Sequence, residues 1–454
     1  MNASMETKAT VTLPDDLLAD ILGRLPARSL AASQRVCKAW HELVENRRLL
    51  LRLRRLLPHS VRGLFINYQD YGNPHFFARP PLAVAADGAR IKGKVDFIVR
   101  EINGYSFSSW YEVADHCNGI LLYRDTDQHV LYVLNPATRR RARLPPCSGE
   151  DWKRRAFLVF DPAVSPDYKV LLEPVDPREA ACSRLMQWPP AAWKWHEFSS
   201  MTGRWKEKVF VLEGEAAGTV GELVLGLDSL RYSMVPRWRY AAYWKGELYV
   251  HCRGEFVARF SLLNDKYQVI KSPIDLTDCK NDVRSFLGRS KEGVYFAAID
   301  DGQLQVWKLS ESNNDDEMRW ELKCHSNLKT HSWWLHERKY DAPWIMDIRY
   351  KEESLQQDVC WNSDDDDIIQ VSDDEEESCY SYVRFLGFHP YKEVVFLCHE
   401  GTAVACHLNS SKVHYLGPIH LGGIYNRGDR ESFVYTPCLD WRLRAYASAS
   451  TCRF

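Results

Sequence analysis

Two periods of apolar residues divide this chain. Near the amino terminus Leu18, Ile21, Leu22 and Leu25 recur at i, i+3, i+4 and i+7, the spacing that lays one apolar stripe along a helix. Leu13-Pro14-Asp15-Asp16 marks the helix start. Proline near the first helical position has no amide hydrogen to leave unpaired, and two carboxylates there face the positive end of the helix dipole. Pro26 stops the helix. A second helix is expected from about Ser29, running through Val36-Cys37-Lys38-Ala39-Trp40 into His41-Glu42-Leu43-Val44. Beyond it Arg47, Arg48, Arg52, Arg54 and Arg55 interleave with Leu49, Leu50, Leu53, Leu56 and Leu57. This extends the helical region by one more amphipathic segment, its leucines packed and its arginines in water. A piece of about 40 residues cannot bury such a stripe alone, so the stripe is expected to dock on a partner or another domain.

After residue 110 the helical period gives way to short apolar runs separated by turn residues, the pattern of an all-β region. Gly119-Ile120-Leu121-Leu122-Tyr123 and Val130-Leu131-Tyr132-Val133-Leu134 flank a turn at Asp125 to Asp127. The plan returns at Glu247 to Val250 with Phe256 to Phe260, at Val294 to Phe296 with Leu304 to Leu309, and at Val394 to Cys398 with Ala403 to Cys406. Between the first two copies lie Phe157 to Pro162, Tyr168 to Leu172 and Trp195 to Ser199. Repeated meanders of about four strands, five of them clear and a sixth inferred, fit a β-propeller of about six blades better than a sandwich. A single blade leaves both faces bare, whereas a ring of blades covers them. Arg62 to Asn67 and Phe433 to Pro437 are the expected join. The fold class is therefore mainly β with a small N-terminal α domain. Its expected parts are a tail at 1–11, helices at 12–57, a propeller at 58–440 and a tail at 441–454.

At 454 residues the chain suits one small and one large domain. Aromatic content of 12%, rich in Trp and Tyr, suits strands that pack rings across one another. A formal net charge of −2 removes any global electrostatic case for nucleic acid. No apolar run is long enough to span a bilayer, and Met1 to Thr12 lacks the core of a signal peptide, so the chain is expected in the cytosol, the nucleus or both. Thirteen cysteines without a C-x-x-C pair argue against a disulfide framework and a structural zinc site.

Leu13, Pro14, Leu18, Ile21, Leu22, Leu25, Pro26, Leu30, Val36, Cys37, Lys38 and Trp40 together resemble the F-box. That resemblance implies that these residues bind a Skp-type adaptor and, through it, a cullin of a RING ubiquitin ligase. The hairpin body is similar to the F-box-associated domain common in plant F-box proteins. The similarity rests on His116-Cys117-Asn118-Gly119, Asn135-Pro136-Ala137-Thr138-Arg139 with Leu144-Pro145, Phe160-Asp161-Pro162 and Tyr435-Thr436-Pro437-Cys438-Leu439. The order of the two parts implies a non-catalytic substrate receptor, the propeller recruiting a client for ubiquitination; no pattern singles out a client-binding position. The alternative is a propeller-based small-ligand receptor or enzyme whose N-terminal helices serve packing or dimerisation.

Other features have plainer readings. Residues 361–378 hold nine carboxylates, and no lysine or arginine occurs from Glu352 to Tyr382; such a run repels itself and is expected to be a disordered insertion. Ser363 and Ser372 precede acidic residues and are candidate phosphorylation sites. Arg139-Arg140-Arg141 is expected at a hairpin turn, and Cys398-His399 as alternating strand residues. No nucleophile elbow, P-loop, H-E-x-x-H or dinucleotide fingerprint occurs, so no catalytic residue, cofactor or metal is assigned.

Overall fold

The structure is a computed structural model of the chain, described for residues 14–24, 33, 36–47, 61–68, 71–79, 91–93, 97, 110–147, 154–174, 183–222, 240–252, 256–274, 283–300, 302–311, 318–328, 343–347, 368–369, 383–399, 401–410, 412–419 and 429–438. The chain divides into a small unit, chiefly Met1–His59, and a large one from Ser60 onward.

In the small unit, helix α1 spans Asp15–Gly23 and helix α2 spans Lys38–Asn46. Pro14 sits just outside α1 with extended backbone, its carbonyl accepting the Leu18 N–H at 3.0 Å, and Asp15 and Asp16 occupy the first turn. The second helix does not run from Ser29 as the pattern suggests. Val36 and Cys37 lie outside it, and the Val36 N–H turns back onto the Ser33 carbonyl at 3.1 Å. Two poor helix formers, one of them β-branched, stand at this break. Leu22, Leu43 and Val44 form the buried centre of the unit, with Leu18, Ala19 and Trp40 packed against it. Arg47 pairs with Asp16 and Arg24 with Asp20, but these side chains are exposed and such pairs contribute little. Leu13, Leu25, Pro26, Leu30 and the arginine-leucine segment beyond Arg47 lie outside the described residues.

The large unit is six four-stranded blades in a ring. From the inner strand outward, blade 1 is Asp429–Tyr435, Gly63–Tyr68, His75–Ala78 and Ile345–Met346. Blade 2 is Tyr111–Cys117, Ile120–Asp125, Val130–Asn135 and Arg140–Arg143. Blade 3 is Ala156–Phe160, Tyr168–Leu172, Ala192–Ser199 and Arg204–Glu213; blade 4 is Ala241–Trp244, Glu247–Cys252, Phe256–Ser261 and Lys266–Lys271. Blade 5 is Arg284–Ser290, Gly293–Asp300, Gln303–Glu311 and Met318–Asn327; blade 6 is Val383–Phe388, Val394–His399, Thr402–His407 and Val413–Pro418. The outer strands of blades 3 and 4 also pair in parallel, Val211 beside Lys266. Each inner strand touches the next, and Val383–Phe388 touches Asp429–Tyr435, which closes the circle. The expected join is present: Gly63 lies opposite Tyr435 and Asn67 opposite Glu431.

Closure follows from the alternation of apolar side chains. Each strand sends residues to both faces of its sheet, so each blade needs a neighbour on either side. Phe65, Phe76, Val113 and Leu121 fill the space between blades 1 and 2, and Cys117, Ile120, Leu158 and Phe198 that between blades 2 and 3. Trp193, Trp195, Phe210 and Phe260 join blades 3 and 4. Tyr249, Val257, Phe296 and Trp307 join blades 4 and 5; Phe286 stacks on Phe385 between blades 5 and 6. Ile66, Trp344, Phe396 and Leu416 return the circle to blade 1. Trp188 and Trp193 are buried here.

Each joint also has a polar clamp. Asn67 both donates to the Val113 carbonyl at 2.9 Å and accepts from the Val113 N–H at 3.0 Å. Asp115 accepts from the Leu158 N–H, Arg155 donates to the His251 carbonyl, and the Trp320 indole donates to the Lys271 carbonyl. Ser290 donates to the His389 carbonyl and Ser432 to the Leu386 carbonyl. The motif Asn135-Pro136-Ala137-Thr138 acquires a physical reason. The Asn135 side-chain Oδ1 caps the turn by accepting from the Ala137 and Thr138 N–H groups, and its Nδ2 donates to the Cys438 carbonyl at 2.7 Å.

In the acidic run, the two described residues, Ile368–Ile369, form a short strand along the outer edge of blade 6. That is regular structure where the charge pattern predicts none, since two isoleucines flanked by carboxylates still supply a pairing edge. The remainder, with Ser363 and Ser372, lies outside the described residues. Arg139 stands at the expected turn with φ 53°, and Arg140–Arg143 is the outer strand of blade 2. Cys398 and His399 are neighbouring strand residues, both buried.

Gly119 has φ +89°, and a Cβ there meets the Cys438 backbone nitrogen and the Thr436 carbonyl at 2.5 Å. Gly119→Ala therefore combines backbone strain with a collision against backbone, and is expected to destabilise the large unit by about 2 kcal/mol or more. A shift of the urea midpoint to lower concentration checks this.

Candidate functional site

Two places carry exposed, chemically distinctive side chains. The first is the helical surface of the small unit. Leu17 and Ile21 are 56% and 49% exposed and stand one turn apart on α1, and Val36 is 63% exposed at the break before α2. Pro14, Cys37 and Lys38 are also exposed, and Leu18 and Trp40 are half-buried. Of the expected adaptor-binding stripe, Leu22 is turned inward and only 1% exposed, so it belongs to the unit's own core. Leu17, which the stripe did not include, takes the outward place beside Ile21. The i, i+4 spacing of Leu17 and Ile21 is visible in the sequence, but spacing alone does not say which edge of a broad apolar face turns outward.

The second place is one end of the propeller ring, where the turns following the inner strands of blades 2, 4, 5 and 6 converge. Asn118-Gly119 links two strands with both residues at positive φ, 45° and 89°, and Cys117 lies opposite Ile120. This is the two-residue hairpin whose twist suits the flanking strands. Lys245-Gly246 in blade 4 does the same at 49° and 90°. Asn118 donates to the Phe160 carbonyl at 2.6 Å, which leaves its side-chain oxygen facing the ring. Arg289 of blade 5 reaches that oxygen with Nη1 at 2.9 Å. The guanidinium carbon lies 5.1 Å from the Trp244 ring centroid and 5.9 Å from that of Tyr391, within cation–π range of both. Nothing around Arg289 in the sequence, Gly288-Arg289-Ser290-Lys291, signals this role; four blades must close before its partners meet.

Behind Arg289 lie Asp115, His116 and Cys117. Burial pushes the Asp115 carboxyl up to about 7, with Glu431 nearby adding to the effect, even though the N–H groups of Leu158 and His116 donate to it. Burial and then the positive Arg289 push His116 down to about 4. Burial likewise raises the Cys117 thiol to about 12, and it donates to the Phe160 carbonyl at 3.2 Å. A thiol in that state is a structural donor and a poor nucleophile.

Residues 10–55 match the F-box-like family. The small unit therefore carries an F-box-like domain. Among curated proteins the chain is 28% identical to F-box protein At5g65850 of Arabidopsis thaliana over 37% of this chain and 40% of that protein. It is 31% identical to the F-box/kelch-repeat protein At3g61590 of the same plant over 28% of each. Its relatives are plant F-box proteins, and the matched region covers two fifths or less of either relative's own length. Among solved structures, "YCF48 bound to D1 peptide" overlays with a TM-score of 0.33 at 9% identity, covering 79% of this chain and 82% of that one. Apo AztD from Citrobacter koseri overlays at 0.31 and 8%, covering 79% and 74%.

The shifts at Asp115 and His116 have opposite signs. Between pH 3.8 and about 7 the folded chain retains a proton on Asp115 that the unfolded chain has released, so this group removes stability as pH rises. Between pH 6.5 and about 4 the unfolded chain protonates a histidine that the folded chain keeps neutral, so His116 removes stability as pH falls. Relative to the unaltered protein, Asp115→Asn is expected to gain stability as pH is raised toward 7. His116→Gln is expected to gain it as pH is lowered toward 4. Urea denaturation across this range reads the slopes, which are independent of any constant cost of either substitution.

Proposed function

We propose that this chain is the substrate-recognition subunit of a Skp–cullin–F-box ubiquitin ligase, the small unit binding the Skp-type adaptor and the propeller recruiting a client protein. The observation that carries the reading is the F-box-like match over residues 10–55, supported by the outward Leu17, Ile21 and Val36 of the same unit. An apolar edge of this kind, set on helices held by their own small core, suits docking into a groove on another helical protein. The chemistry then resides elsewhere in the complex. This chain supplies proximity: holding a client near the ubiquitin-charged enzyme turns a bimolecular encounter into a tethered one at high effective concentration. Such a subunit works in the cytosol or the nucleus, where its partners are found.

Co-purification tests the reading. The chain is expected to form a stable complex with a Skp-type adaptor. Ile21→Asp or Val36→Asp, which place a charge on the docking edge, is expected to weaken that complex by about 100-fold or more with the urea unfolding of the large unit unchanged. Undiminished capture by both variants would remove the assignment of this edge. Failure of the unaltered chain to bind any adaptor would remove the ligase role.

A further inference from the structure

Arg289 is a cation without a counter-ion. Among the described residues it forms no salt bridge, and its sole hydrogen bond is the one from Nη1 to the neutral Asn118. Its Nε–H is shielded from solvent and has no acceptor. Among the described residues Nη2 donates to no group and, unlike Nε, is not sealed from solvent. The unfilled edge of the guanidinium is thus the side formed by Nε and Nη2, two parallel donors that match the two oxygens of a carboxylate. The Trp244 and Tyr391 rings lie 5.1 and 5.9 Å from the cation. Lys245, exposed in the adjoining turn and 5.9 Å from the Trp244 ring, adds positive charge to the same rim. A donor withheld from water and left without an acceptor costs free energy that an arriving acceptor recovers.

We propose that Arg289, beside Trp244 and Tyr391 at the end of the ring, reads a carboxylate side chain in an acidic segment of the client protein. The proposal deepens the substrate-receptor reading and rests on it for the identity of the ligand as a protein. Approaching from the solvent side, a glutamate or aspartate pairs first with Nη2 and reaches Nε as the guanidinium tilts. The Nη1 bond to Asn118 holds the opposite end. The rings supply apolar walls for the methylene groups of the entering side chain, and the surrounding low dielectric strengthens the pair. Because Asn118 is itself held by the Phe160 carbonyl, the site is preformed by closure of the ring.

The test uses the whole 454-residue chain and a fluorescein-labelled decapeptide carrying two glutamates in a Gly/Ser/Tyr background, with glutamine and phosphoserine counterparts, read by fluorescence anisotropy. The glutamate peptide is expected to bind about tenfold or more tightly than the glutamine peptide, with affinity falling as salt is raised. Arg289→Gln is expected to abolish that preference and Arg289→Lys, which keeps the charge but loses the paired donors, to reduce it. Thermal melts of both variants report folding, and the comparison of glutamate with glutamine on the unaltered protein needs no variant at all. Equal binding of those two peptides, a preference that survives Arg289→Gln, or binding of the phosphoserine peptide alone overturns the proposal. Adaptor capture is measured on the same preparations and is expected to be unaffected by either change at Arg289. Capture without glutamate preference sinks this site and leaves the ligase reading standing. Glutamate preference without capture supports carboxylate recognition at Arg289 and removes the ligase reading.

Discussion

A four-stranded blade with apolar side chains on both faces has no stable existence alone, and that constraint organises the large unit. Each face finds its cover in the next blade, so the cores lie between blades and none lies within one. A row of blades would leave two faces bare. The ring avoids this by placing Asp429–Tyr435, from the far end of the chain, beside Gly63–Tyr68. The pairing is antiparallel and in register over most of its length, which makes the first blade a composite of both ends of the sequence. Only once this pairing is made do all six inter-blade cores exclude water.

Polar groups at the joints are placed where apolar packing alone leaves backbone unsatisfied. Asn67 serves both the N–H and the carbonyl of Val113 at a point where the partner strand bulges. Asn135 serves a turn with one end of its amide and the C-terminal segment with the other. A buried amide that meets two backbone groups at once fixes the register of neighbouring blades as well as adding stability. Arg289 differs from these. One of its donors is satisfied, while a shielded Nε is not, and among the described residues it lacks a carboxylate partner, which is why it is the proposed recognition group.

The small unit divides its apolar residues between two tasks. Leu22, Leu43 and Val44 hold the helices together, and Leu17, Ile21 and Val36 are left outside. In the proposed adaptor-binding role this division matters: a stripe wholly committed to a partner leaves the helices nothing to fold on, and one wholly committed to the core leaves nothing to bind with.

Much of this was legible in the residues. The strands at Val130, Tyr168, Phe256, Leu304 and Val394 announce themselves by apolar runs between turn residues, and the structure extends them by at most two residues at either end. The helix after Pro14 and the closing pair of strands were equally readable. Some inner strands were not: Tyr111–Cys117 and Arg284–Ser290 interleave charged and small residues with apolar ones because one side of each faces the middle of the ring. Their pattern resembles a loop until neighbours on both sides give each residue its environment. The break at Val36-Cys37, the inward turn of Leu22 and the meeting of Arg289 with Asn118, Trp244 and Tyr391 belong to the same class. Local sequence determined which segments become helix, strand and turn, since propensity and periodicity act within a few residues. Tertiary structure alone decided which side chains face water and which distant ones meet, since those outcomes depend on chain closure across hundreds of positions.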